Sequence, residues 1–215
     1  METTGKSIQV HYLGKCLRLY NQRCRDWSHD YGYLGSQATL SNAGCGIFSI
    51  ANAVSWMSGM DIDVDVLAQF SIENGGRGDD GTDRPALLHA MSQFGLATAY
   101  GFSYHEDGLR NDLDVLFEHL NNGGTGLGNL RVGHIVALLS ARILGDERQI
   151  LAADPYSESA DERICNQVRE CVRASAVVSA ILNDQNQEVG FRETYALYWV
   201  PLSQVHDFNL LHPLV

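Results

Sequence analysis

At 215 residues, with a net charge of −11 and with 45% hydrophobic and 19% charged residues, the chain reads as one globular domain, 1–215, with enough apolar content for a sizeable core. An acidic chain without a basic patch repels a phosphate backbone, and no apolar run reaches the roughly 20 residues of a membrane span, so neither nucleic acid nor a membrane is an expected partner. The opening METTGKSIQV has one basic residue and no apolar stretch, which predicts no leader and a cytoplasmic location.

The first clear helical pattern begins at Gly44 or Cys45, where Ser41 and Asn42 offer capping oxygens. It carries Ile47, Ile50, Ala51 and Val54 on one stripe and ends near Gly59. Cys45 opens it on a different stripe, with Phe48, Ser49 and Asn52. Asp63 is placed to cap a short helix bearing Val66, Leu67 and Phe70, and the Gly-rich stretch from Gly75 to Gly81 reads as a loop. Thr82 or Asp83, then Pro85, then Leu87, Leu88 and Met91 with Gly95 beyond, spell cap, early proline, apolar face and stop. Asn111 to Asn121 puts Leu113, Leu116, Phe117 and Leu120 on one helical face. After the glycines from Gly123 to Gly128 the period changes, and Ile135 to Leu139 and Gln149 to Ala153 read as strands joined through Leu144-Gly145-Asp146. Ile164 to Ala174 predicts a further helix and Tyr195 to Pro201 a late strand. Helices first and an antiparallel sheet afterwards predict an α+β fold.

Several patterns carry no site. Cys16, Cys24, Cys45, Cys165 and Cys171 are irregularly spaced and form no CxxC pair, which predicts reduced thiols rather than a disulfide framework or a structural zinc. Asp61, Asp63 and Asp65 alternate as in a calcium loop, but Val66 stands where that loop needs glycine and Ile72 where it needs glutamate. Gly124, Gly126 and Gly128 follow a helix and precede a strand, the reverse of a nucleotide loop. Arg77-Gly78-Asp79 is a chance match to an adhesion tripeptide, within a loop from Asn74 to Asp83 expected to be flexible and to border a cleft. Trp27 and Trp56 read as core residues.

One set of residues points to chemistry. A helix entrance lowers a thiol pKa through unpaired N–H groups and the helix dipole, and Cys45 alone among the cysteines has that address. Its neighbours Gly44 and Gly46 are expected to let a substrate carbonyl approach the backbone, with the Cys45 N–H as one oxyanion donor. His134, after Gly133 at the head of an apolar strand, is the best placed imidazole, and Asp154, at the end of the next strand, is placed to orient it. These residues predict a nucleophilic Cys-His-Asp triad acting on a peptide or protein substrate, with no metal and no cofactor.

The order of cysteine on a helix, then histidine and aspartate on adjacent strands, resembles the papain superfamily. The segments AGCGIFSIANAV and VGHIVALL and the step Ala153-Asp154-Pro155 are similar to the peptidases that trim double-glycine leaders from bacteriocin precursors, and to their stand-alone bacterial relatives. The resemblance covers roughly residues 19–156 and implies a papain-like fold with peptide or amide hydrolysis through a thioester. Upstream, YNQRCRDW resembles the QxDxxW segment of the stand-alone members, which implies Gln22 as the oxyanion-hole side chain, with Gln37, nearer to Cys45 in sequence, as its competitor. No transporter segment follows, and no glutamine stands a few residues before Cys45, so the resemblance implies fold and thiol chemistry more than cleavage after Gly-Gly. Acyl transfer by the same triad and a peptide-binding module without turnover are the alternative expectations.

Overall fold

Residues 135–139 are all apolar, which suits a strand only when both of its faces are covered. The computed structural model of the protein covers both. It describes residues 6–214 apart from 23, 25, 26, 28, 29, 33–37, 107, 132, 157–169 and 183–187. The elements in chain order are β1 (Ser7–Tyr12), β2 (Lys15–Tyr20), α1 (Leu40–Ala43), α2 (Cys45–Ser58), α3 (Val64–Glu73), β3 (Arg77–Gly78), β4 (Gly81–Thr82), α4 (Arg84–Gln93), α5 (Leu96–Ala99), β5 (Phe102–Ser103) and α6 (Leu113–Asn121). There follow β6 (Thr125–Arg131), β7 (His134–Leu144), β8 (Glu147–Ala153), β9 (Glu170–Cys171), β10 (Ala176–Leu182), β11 (Glu188–Tyr195), β12 (Leu197–Pro201) and β13 (Asp207–Pro213).

Among the described residues the fold is α+β, built on a seven-stranded sheet in the order β5-β13-β6-β7-β8-β12-β9, with every pairing antiparallel. Alternate residues feed two cores. Ile135, Ala137, Leu139, Leu151 and Trp199 pack on the side of α2, and Val136, Leu138, Ile150, Ala152 and Tyr198 on the side of α6, with Leu116 and Leu120. Over residues 135–139 the strand therefore has no solvent face, and its run of apolar residues is the period-two pattern filled in on both sides.

Helix α2 is buried from Gly46 to Trp56, so its polar residues need partners inside the protein. Ser49, Asn52 and Ser55 fall on one stripe and find them. Ser49 Oγ donates to the Ile135 carbonyl at 2.9 Å, Asn52 Oδ1 accepts the Tyr20 N–H at 2.8 Å, and Ser55 Oγ accepts the Arg18 N–H at 2.7 Å. The stripe bolts α2 to β7 on one flank and to β2 on the other. A separate hairpin of β10 and β11 pairs only with itself among the described residues and leaves the sheet between Ser175 and Ala196.

Several expectations hold. Asp63 and Asp83 cap α3 and α4 by accepting backbone N–H bonds, Gly59 ends α2 at φ 71°, and Gly145 turns the β7–β8 hairpin; Asp112, not singled out in the sequence, caps α6 in the same way. Asp61 pairs with Arg18, so two of the three alternating aspartates have structural duties. Trp27 and Trp56 are core residues.

Others are corrected. Ser41 and Asn42 do not cap α2; they lie in the preceding turn α1, where Asn42 Oδ1 accepts the Thr39 N–H. Val66 points to solvent at 58% exposure, and α3 instead buries Val64, Leu67, Ala68 and Ser71. Arg77 is buried and donates to the carbonyls of Tyr31, Gly78 and Gly81, which fastens the segment expected to be a flexible loop and takes the arginine of the tripeptide off the surface, while Asp79 stays exposed. Of the helix expected over 164–174, residues 164–169, Cys165 included, lie outside the described residues, and the rest is β9 followed by a turn of 3-10 helix. The first half also holds the β1–β2 hairpin, which the helical pattern there did not suggest.

Candidate active site

Cys45 is the first residue of α2. Gly44 caps that helix with backbone alone, and no side chain accepts from its first turn. The turn's N–H groups are left to the thiol and to whatever binds beside it. His134 opens β7, and its ring, with the N–H groups of Ile135 and Gly46, is what favours the thiolate form of Cys45 against burial. The Ile135 carbonyl takes the Ser49 hydroxyl at 2.9 Å. Ser49, one turn beyond Cys45 on α2, thus braces the residue after His134.

Asp154 follows the last residue of β8, anchored by its N–H to the Ala196 carbonyl at 2.8 Å. Its carboxylate is almost wholly buried and filled with donors. Oδ1 accepts from His134 Nε2 at 2.7 Å and from the Tyr156 N–H at 2.8 Å, and Oδ2 accepts from the Tyr198 hydroxyl at 2.8 Å. With Nε2 given to Asp154, Nδ1 is the ring nitrogen left for the thiol. The Tyr156 ring stands edge-on to the imidazole with centroids 5.8 Å apart.

The electrostatics follow from these contacts. Burial pushes the half-buried Cys45 thiol up, but the imidazole and the N–H groups of Ile135 and Gly46 outweigh it, and the thiol lies below its ordinary value. Burial likewise opposes a charged His134, yet the Asp154 carboxylate, with a smaller part from Cys45, raises the imidazole to about 9. Depressed thiol and raised imidazole are the two halves of a thiolate–imidazolium pair.

Gln22 is buried beside this group. Its N–H bonds the Pro155 carbonyl, one residue past Asp154, at 2.8 Å, and its Nε2 donates to the Ser41 carbonyl, four residues before Cys45, at 3.3 Å. One Nε2 hydrogen remains beyond that bond. Gln37 lies outside the described residues.

The glycines around Cys45 have a packing duty that the sequence did not suggest. A Cβ on Gly46 would stand 2.5 Å from Thr82 Cβ in β4, and one on Gly44 would stand 2.6 Å from the Leu40 carbonyl oxygen. Thr82 is itself held by the Tyr31 hydroxyl at 3.0 Å, which also meets Ser71 Oγ at 3.0 Å. The end of the segment from 74 to 83, at β4, therefore lies against α2.

The structure brings Cys45, His134 and Asp154 together, with His134 hydrogen-bonded to Asp154 and electrostatically coupled to the Cys45 thiol, and sets Gln22 beside them. Sequence reasoning missed Tyr156, Tyr198 and the brace role of Ser49. Ser49 had a signal, since it shares the stripe of Cys45; Tyr198, 44 residues from Asp154, had none. Among the described residues no group of three or more His, Cys, Asp or Glu is placed to hold a metal ion, and no helix is long and apolar enough to cross a membrane. No protein-family model matches the chain, and no curated protein matches it.

Proposed function

We propose that this chain is a single-domain cysteine peptidase with a papain-like fold, hydrolysing a peptide or amide bond through Cys45, His134 and Asp154. The observation that carries it is an imidazole given at 2.7 Å to a buried carboxylate and coupled to a helix-entrance thiol whose pKa it lowers. A nucleophile helix packed against an antiparallel sheet that delivers the histidine and the aspartate supports the fold assignment.

In the proposed reaction the Cys45 thiolate attacks the substrate carbonyl carbon, an S–C bond forms, and the carbonyl electron pair moves onto oxygen. The Cys45 N–H and the remaining Gln22 amide hydrogen are the oxyanion donors. As the intermediate collapses the C–N bond breaks, and the imidazolium gives its proton to the departing amine. Water, deprotonated by the neutral imidazole, then opens the thioester and releases the acid with the thiolate restored. Asp154 keeps the ring in place through both proton transfers, and the buried surroundings keep these bonds strong.

The test pairs an epoxysuccinyl peptide probe with a degenerate peptide library. A single adduct on Cys45 and new free carboxyl termini, both absent from Cys45→Ala, are the expected results. Products bearing an added amine in place of the acid would assign acyl transfer instead, and no adduct and no products would overturn the enzyme assignment.

A further inference from the structure

We propose that Tyr198 is a positioning residue for the relay, holding Asp154 Oδ2 from the α6 side of the sheet so that Oδ1 stays aligned with His134 Nε2. The proposal deepens the peptidase assignment and rests on it.

Tyr198 sits on β12, fully buried in the core that α6 covers, whereas Cys45 packs against the core on the opposite face. In register it lies opposite Ala152, which makes Asp154, two residues on, its diagonal neighbour within reach of a long side chain. Phenylalanine would fill an apolar position in that core equally well, and the hydroxyl has a polar use: it donates to Oδ2 at 2.8 Å. A buried carboxylate oxygen without a donor is costly, and at 1% exposure Asp154 has little access to water as a substitute. Oδ1 already carries two donors, His134 Nε2 and the Tyr156 N–H. The Tyr198 hydroxyl on Oδ2 is the contact that stops the carboxylate plane from turning about its Cβ–Cγ bond and pulling Oδ1 off the imidazole.

The experiment is a double-mutant cycle on the pH profile of Cys45 alkylation by limiting iodoacetamide, in wild type, Tyr198→Phe, Asp154→Asn and the double variant. Tyr198→Phe is expected to move the acid-side midpoint of the profile up by about one pH unit in the wild-type background, and by less than about 0.3 unit in the Asp154→Asn background. Equal shifts in both backgrounds, the signature of a general loosening, would overturn the proposal, as would no shift in either. A second readout needs no reactive thiol: the His134 ring titrated by NMR in Cys45→Ala, with and without Tyr198→Phe. A fall of half a unit or more in the imidazole pKa upholds the positioning role, and coincident curves reject it. If wild-type Cys45 alkylates no faster than exposed Cys16, the peptidase assignment fails, and the imidazole titration alone then decides whether Tyr198 positions Asp154.

Discussion

Replacing His134 with alanine should cost Cys45 its reactivity, and the structure bounds the loss. The ring is the main opponent of the burial that pushes the Cys45 thiol up; the N–H groups of Ile135 and Gly46 are smaller opponents and remain in the variant. A thiol returned to an ordinary pKa of about 8.5 is about 3% ionised at pH 7. If the wild-type thiol is mainly ionised there, the reactive fraction falls about 30-fold. The assay is limiting iodoacetamide from about pH 5 to 9 with mass-spectrometric readout of each cysteine, using exposed Cys16 as the internal reference. Wild-type Cys45 should label at a near-constant rate from the acid side up to neutrality, and His134→Ala should show a single rise on the alkaline side. A variant whose Cys45 reacts within about threefold of wild type at pH 7 refutes the thiolate–imidazolium pair, as does a wild-type Cys45 slower than Cys16.

Three further outcomes follow from contacts around the relay. Ser49→Ala deletes a fully buried donor to the Ile135 carbonyl, expected to cost about 1 kcal/mol, about 2–4 °C in melting temperature for a domain of this size, together with slower Cys45 labelling; an unchanged melt and rate would dismiss the brace. Gly46→Ala gains helix propensity but drives a Cβ into Thr82, so a net loss of about 1–3 kcal/mol is expected in urea melts. Adding Thr82→Gly should recover the clash part of that loss, and no recovery would locate the strain elsewhere. The third outcome concerns pH. An imidazole raised to about 9 contributes stability that is complete below 6.5 and fades as pH rises through about 9, whereas a depressed thiol contributes stability that appears as pH rises. Between these limits native and unfolded chains each hold one proton on the pair, so wild-type stability should be nearly flat. Cys45→Ala removes the second contribution and should lose stability from about pH 6.5 upward, at up to about 1.4 kcal/mol per pH unit; parallel curves for the two proteins would refute the pairing.

The grouping of Cys45, His134 and Asp154 was legible because each sits in a short segment with a distinct local pattern: a thiol at a helix start, an imidazole at a strand head, a carboxylate at a strand end. The capped helices were legible for the same local reason. What escaped notice depended on distance or on unsuitable residues. Strand β6 contains Gly126 and Gly128, poor strand formers, because a Cβ at either would meet the Asn209 carbonyl or Leu138. The β1–β2 hairpin did carry a signal, alternating Ile8, Val10 and Tyr12 before Leu13-Gly14, which turns with positive φ at both residues. The contact of Tyr198 with Asp154 exists only once β8 and β12 are in register, and nothing in either segment announces it.

The root of the β10–β11 hairpin is closed. The Ala196 N–H reaches the Ser175 carbonyl at 3.2 Å, the Leu197 N–H reaches Ser175 Oγ at 2.9 Å, and the Ala196 carbonyl takes the Asp154 N–H. The described chain that leaves at Ser175 and returns at Ala196 is therefore tied off at its base, so a change of sequence in the β10–β11 pair need not disturb the register of β8 and β12. The anchor of Asp154 depends on the closed root and not on the hairpin beyond it.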